Sequence, residues 1–291
     1  MNVKVGKHQA FSKIGLDFYY STSFWKTACE TFREDRFFGF DSLNAYRLLS
    51  VLVSRGEMTI VRTAIYRLFV FCLPLLIITS NIGWGVSEIR LYEYSFDKYH
   101  ISQTTGIDDP ELRKIFQHLI DYFNLRVDSA QVTVTKGGEQ FGLFNEREVV
   151  HLEDVRDLIQ LNYWVQRGAL LLMVICALML LLWLKAGWRT LVRGLFWGSL
   201  AVLGLVVVLA LWALFGFEQL FILFHVVSFP NEFWMLDPSR DYLIMLFPGG
   251  FFYDAAMFGF GAVILEGVLV SGIAFGVLKT MGWRMKGSEA K

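Results

Sequence analysis

The sequence predicts an all-α membrane protein: a four-helix transmembrane bundle with a small extracytoplasmic α/β cap and a cytoplasmic N-terminal extension. Three observations carry that expectation. The composition is 55% hydrophobic and 16% aromatic with only 19% charged residues, less charge than the surface of a soluble domain needs. Four apolar runs approach or exceed the roughly 20 residues that a helix requires to cross about 30 Å of hydrocarbon. Lysine and arginine are shared unevenly among the segments between those runs, which fixes an expected orientation.

The runs are Ala64–Gly85, Gly168–Leu184, Leu195–Phe217 and Ala255–Leu278. The first contains Pro74, a residue that membrane helices tolerate, and the last is interrupted only by Glu266. The stretch 1–62 is polar and mixed, with no cleavable signal, so Ala64–Gly85 is expected as a retained helix. The connection after the second run carries Lys185, Arg189 and Arg193 without an acid. The tail after the fourth carries Lys279, Arg284, Lys286 and Lys291 against Glu289, and Arg55 and Arg62 precede the first. The segment 217–254 holds Glu218, Glu232, Asp237, Asp241 and Asp254 against Arg240 alone. Both termini are therefore expected in the cytoplasm, with 86–167 and 218–254 outside. The resulting division is an extension over 1–57, a first span over 58–85, an outer domain over 86–167, spans two and three over 168–217, a second outer segment over 218–254, and a last span with its tail over 255–291.

Within the outer domain, Leu112, Ile115, Phe116, Leu119, Ile120 and Phe123 recur at helical period over Pro110–Arg126, with Asp108 and Asp109 placed to cap it. Gln131–Thr135 and Glu139–Phe144 flank Lys136-Gly137-Gly138 and read as a hairpin. Asn145–Leu161 reads as a helix leading into the second span, with Asn145 as N-cap and Glu148 three residues on as in a capping box. The extension 1–57 shows no sustained period; short helices near the membrane are expected there, unless translation begins at Met58.

Net charge is zero, so no basic footprint for nucleic acid exists. Cys29, Cys72 and Cys176 are scattered, without a zinc or C-x-x-C spacing. No G-x-S-x-G, H-E-x-x-H or P-loop occurs, no two histidines have ligand spacing within one helix, and neither a cofactor nor a metal is expected.

Chemistry is expected from the outer histidines. His100 and His118 lie in polar surroundings where a solvated imidazole is the default. His151 has Glu148 and Asp154 three residues to either side, on adjoining turns of one helix, and a carboxylate beside an imidazole is how a general base is oriented. An exposed helix with ordinary charge pairs explains the same spacing. His225 stands in the apolar stretch Phe221–Pro230. A helix running from Leu195 to His225 spans about 45 Å, so His225 emerges near the outer boundary, where an ionisable residue is a functional candidate. A histidine bonded inside a bundle is the competing reading. Trp234, Tyr242 and Tyr253 suit an interfacial aromatic belt.

The stretch FNEREVVHLEDV, Phe144–Val155, resembles an F-N-x-x-E-x-x-H-x-x-D-V signature. FHVVSFPNEFWMLDPSRDYLIMLFPGGFF, Phe224–Phe252, is similar to a second, running from F-H through W-x-x-D-P to L-x-P-x-x-F-F. With four spans, these are the marks of the bacterial lipoprotein intramolecular transacylase (Lit) family. The likeness covers about 60–281 and departs at Pro248-Gly249-Gly250, where other members often carry a glutamate pair. It implies an acyltransferase that moves the sn-2 acyl chain of a diacylglyceryl-cysteine lipoprotein onto that cysteine's own α-amine. His151 and His225 are then the catalytic residues, with Asn145, Glu148, Asp154 and Asp237 in support. The implied partners are the lipoprotein substrate and membrane lipid, and the implied location is the bacterial cytoplasmic membrane. An acyltransferase for another lipid, or a non-enzymatic lipid-binding accessory of the same fold, are the other readings. If the two histidines share a pocket at the membrane surface, the helix after Asn145 is expected to bend or break near Gln160–Gly168, or to lie along the surface through Leu158, Ile159, Leu161 and Trp164, because His151 otherwise stands about 25 Å beyond Gly168.

Overall fold

The computed structural model describes residues 42–289, with side chains over 58–280. The chain divides into two compact units, Met1–Thr59 and Ile60–Lys291, and the account below concerns the second. Most of the expected N-terminal extension lies outside the described residues.

Helix α1 runs Ser42–Ser87, α2 Ile89–Tyr99, α3 Ile101–Thr105 and α4 Asp109–Phe123. The strands β1 (Thr133–Lys136) and β2 (Glu139–Gly142) follow. Helix α5 covers Glu146–Leu178 and continues through a π turn at Met179–Trp183; α6 is Trp188–Ser228, α7 Tyr242–Leu246 and α8 Gly249–Glu289. Four stretches are long and apolar enough to cross a membrane: Met58–Ser87, Glu146–Trp183, Trp188–Ser228 and Gly249–Thr280. They overlap the four expected runs, and the middle two extend far beyond them.

Close packing of the bundle depends on small residues. Gly198 of α6 lies so near α1 that a Cβ there would stand 2.9 Å from the Val70 carbonyl oxygen. Gly194, one turn earlier, faces the Phe69 ring in the same way. This G-x-x-x-G spacing lets two backbones approach where apolar burial alone gives no drive towards association. Leu73, Ile77, Val202, Val206 and Val263 fill the seam among α1, α6 and α8.

The segment between the first two spans folds into a compact head. Its core gathers Tyr92 and Phe96 of α2, Leu112, Ile115, Phe116 and Leu119 of α4, Val134 of β1, Leu152 and Ile159 of α5, Leu246 of α7 and Phe251 of α8. The hairpin turns through Gly137 and Gly138 at φ +61° and +88°, the two left-handed residues that a tight hairpin requires. Helices α2, α3 and α7 were not expected; their short, aromatic-rich sequences show little periodicity in isolation. Tyr242 also departs from expectation. It packs on Phe141 at 5.8 Å between ring centres and its hydroxyl accepts from Lys136 Nζ at 3.3 Å, inside the head rather than in a belt.

The expected bend in α5 is absent: Glu146–Leu178 is one uninterrupted α-helix. The reason is that the helix is held along its length. Gln160 Nε2 donates to the Phe123 carbonyl at 2.7 Å, Asn162 Nδ2 to that of Thr79 at 3.1 Å, and Gln166 Nε2 to Ser80 Oγ at 2.9 Å. The bend falls in α6 instead, where Gly216 leaves helical geometry at φ −158°, ψ 51°.

Candidate active site

The N-terminus of α5 begins with a complete capping box. Asn145 Oδ1 accepts from Glu148 N at 3.1 Å, and Glu148 Oε2 accepts from Asn145 N at 2.7 Å. Both side chains reach further. Glu148 Oε1 accepts from Leu243 N at 2.6 Å, and Asn145 Nδ2 donates to Asp241 Oδ1 at 2.9 Å. The other Asp241 oxygen accepts from Asp237 N at 2.7 Å. A local cap therefore binds the start of α5 to the segment 237–243, almost a hundred residues away in sequence.

Two more bonds fasten the preceding part of that segment. Asn231 Nδ2 donates to Asp154 Oδ2 at 2.8 Å, and Arg147 Nη2 donates to the Glu232 carbonyl at 2.7 Å. The segment 231–243 is thus pinned across α5 one turn before and one turn after His151. The pinning lays Phe229 and Trp234 against the imidazoles: Phe229 is 5.1 Å from His151 and 5.4 Å from His225, and Trp234 is 5.0 Å from His225, between ring centres.

His151 and His225 come together, with ring centres 6.2 Å apart and planes inclined at 33°. Each is 7% exposed. His225 Nδ1 lies 2.8 Å from the Phe221 carbonyl oxygen. A carbonyl can only accept, so Nδ1 carries the proton and the neutral ring presents its lone pair at Nε2. Phe221 also packs at 4.1 Å on the His225 ring. The Nδ1 of His151 is buried with no hydrogen-bond partner among the described residues, as is Arg147 Nε. A buried polar atom left unpaired costs about 1–3 kcal/mol, a cost that is relieved where a ligand supplies the missing partner.

The other expected site residues support this geometry without touching the imidazoles by hydrogen bonds. Glu148 and Asp154 were expected to orient an imidazole; their bonds go instead to Asn145, Leu243 and Asn231. Spacing on one helix places them near His151, but the partners come from another segment and compete better. Asp237 sits at the edge, where the Ser239 hydroxyl and amide hold its carboxyl below the usual carboxylate range. His100 lies at the α2–α3 junction with φ +53°, and His118 meets the Ser129 carbonyl at 2.8 Å; neither joins the site. Sequence reasoning missed Asn231, Asp241, Phe229 and Arg147 as parts of the site. Asn231 follows Pro230 in a turn-forming pair, and Asp241 appeared only as part of a charge count. Trp234, expected in an interfacial belt, packs on the His225 ring as a wall of the site.

Comparisons with known proteins bear on what this arrangement is. A family model described as lipoprotein intramolecular transacylase Lit matches residues 67–252, well over half of the chain. The chain belongs to the Lit family. Solved structures of the membrane-integral lipoprotein intramolecular transacylase Lit from Bacillus cereus share the fold at 21% identity. One superposes with a TM-score of 0.62, covering 78% of this chain and 98% of that one. A second, carrying a histidine-to-arginine substitution, gives 0.63 over 81% and 98%. A third, with the histidine replaced by alanine, gives 0.63 over 80% and 99%. No curated protein matches.

Both Lit signature stretches thus have a structural meaning: the first supplies the cap and His151, the second supplies the residues bound by that cap and His225. Glu148 is the shared element. Replacing Glu148 with Ala leaves the buried N–H groups of Asn145 and Leu243 without an acceptor, an expected cost of about 2–5 kcal/mol. The thermal midpoint of the purified protein in detergent should fall by several degrees. Glu148→Gln, which keeps one acceptor, should fall between Ala and the parent.

Proposed function

We propose that this Lit-family protein moves the sn-2 acyl chain of a diacylglyceryl-cysteine lipoprotein onto the α-amine of that same cysteine, leaving a lyso-form lipoprotein. The observation that carries the reading is the pair of imidazoles at 6.2 Å, walled by aromatic rings. The nucleophile is the substrate's own amine, so the enzyme has to supply only a proton acceptor, a proton donor and positioning. The two cysteines described, Cys72 and Cys176, are buried in the bundle and take no part.

In the proposed reaction the amine nitrogen attacks the ester carbonyl carbon while one imidazole takes its proton. The developing oxyanion accepts from the second imidazole, protonated on the nitrogen facing it. Collapse breaks the bond to the glycerol oxygen, which receives the proton and becomes a free hydroxyl. The reference pKa of an α-amine, about 7.7–8.0, leaves much of it protonated at neutral pH, so a base is needed. Base catalysis contributes about 10²–10⁴-fold. Holding amine and ester of one molecule in one pocket contributes up to about 7–11 kcal/mol more.

Mass spectrometry of lipoprotein N-termini from cells producing the protein should show the acyl chain amide-linked on cysteine and one ester remaining. His151→Ala and His225→Ala should each lower turnover by about 10²–10⁴-fold, and the double variant should add little, because two groups acting as a unit do not lose independently. Near-parental turnover in either single variant would overturn the reading.

The same reading places the site at the outer face of the bacterial cytoplasmic membrane, with both termini inside, supported by the lysine and arginine bias. An impermeant thiol reagent applied from outside should label Gly137→Cys and leave Gly187→Cys untouched. The opposite pattern would invert the topology.

A further inference from the structure

At the start of α5, one helical turn before His151, lies an open hollow of about 280 Å³, lined by Asn145, Arg147, Arg240 and Asp241. Acyl transfer as described above makes no use of it. Its acceptors are already taken: Asp241 is 3% exposed, and its two oxygens accept from Asn145 and from the Asp237 backbone. Its donors are not. Arg147 Nη2 is anchored on the Glu232 carbonyl and Nε is buried without a partner among the described residues, so Nη1 is the edge left for a ligand. Arg240 Nε is ion-paired with Asp237 at 3.7 Å and Asp241 at 3.8 Å, both beyond hydrogen-bond length, so these pairs leave its N–H groups able to donate to a ligand. The hollow therefore offers guanidinium N–H groups to a ligand that accepts.

Its position says which part of a substrate that is. Arg147 is one helical turn before His151, on the same face of α5 and on the side leading away from the membrane-spanning stretch. Around His225, on α6, Phe224, Val226 and Val227 are exposed apolar residues, 49%, 61% and 76% accessible. A lipid-modified polypeptide has one apolar end and one end built of amides. The apolar surface suits the acyl chains, so the amides fall on the guanidinium side.

We infer that the hollow is the subsite for the polypeptide that follows the lipidated cysteine, with Arg147 donating to a main-chain carbonyl of that segment and Arg240 to a neighbouring one. The inference rests on the transacylase reading and adds a residue that sets how much peptide the enzyme requires. A carbonyl ligand, unlike a side chain, is present in every lipoprotein, so the subsite reads the presence of a chain rather than its sequence.

The test compares two synthetic substrates with the full-length protein in zwitterionic detergent micelles: a diacylglyceryl-cysteine amide with nothing following, and a diacylglyceryl-cysteine carrying four further residues. Arg147→Lys keeps the charge and a donor for the Glu232 carbonyl but loses the fork. It should raise KM for the lipopeptide by about tenfold or more beyond any change in the constants for the amide, the excess being the size of one hydrogen bond to a charged group. Arg240→Gln removes no hydrogen bond of the fold, and should raise KM for the lipopeptide alone. Equal losses on both substrates in both variants would mark a purely structural role, and unchanged constants on both would mark no role; either overturns the inference. A lipopeptide KM that rises when anionic phospholipid is added reassigns the hollow to a lipid phosphate and overturns it too. Failure of the parental protein to turn over either substrate overturns the transacylase reading itself.

Discussion

Glu148 is 1% exposed and spends both carboxylate oxygens on backbone N–H groups, one from its own helix cap and one from Leu243. A buried carboxylate is tolerated only when its oxygens are satisfied, and here the two donors come from parts of the chain almost a hundred residues apart. The bond to Leu243 fixes where the segment after α6 crosses α5. Asn145, Asp241 and Asp154 extend the same constraint above and below. Once that crossing is fixed, Phe229 and Trp234 have one place to pack, and His225 is set opposite His151. The spacing of the histidine pair is thus a consequence of a capping box whose reach exceeds its own helix.

The constraint also explains the proportions of the helices. Helix α5 carries His151 about 25 Å before Gly168 in an unbroken helix, because the head packs around it and α1 and α4 bond to its polar side chains. For His225 to meet it, α6 must be equally long: 41 residues, or about 60 Å, twice the hydrocarbon thickness. Gly216 turns the last three turns of α6 aside. Beyond it, Ile222, Leu223, Val226 and Val227 keep apolar side chains exposed while Phe221 and His225 face the site. An apolar outer face on a kinked terminal segment is what residence among lipid headgroups requires.

The spans, the hairpin and the Asn145–Glu148 cap were legible in the sequence because each is a local signal: a long apolar run, two glycines between β-formers, an N-x-x-E before a helix. The candidate histidines were legible through the family signatures and, for His225, through an ionisable residue in an apolar stretch. What escaped was every relation between distant segments. Glu148 and Asp154 looked like partners of His151 because helical spacing places them near it; the sequence does not reveal that Leu243 N and Asn231 Nδ2 would claim them. Tyr242 and Trp234 looked interfacial because aromatic residues near a span usually are, and nothing local distinguishes a wall of a site from a belt. Helix α2 escaped because its buried face, Tyr92 and Phe96, gains meaning only against α4 and α8.

Asp154 accepts from Asn231 and also carries its charge beside the His151 ring; the fastening is the part on which activity depends, and exchanging the two residues separates those roles. Asn231→Asp alone sets two carboxylates against each other and should lower turnover of a diacylglyceryl lipopeptide by about tenfold or more. Asp154→Asn with Asn231→Asp restores one amide and one carboxylate in reversed positions, and should return turnover to within about threefold of the parent. A double variant as inactive as Asn231→Asp, with its thermal midpoint restored, would show that the charge at Asp154 acts on the chemistry directly and would contradict the account.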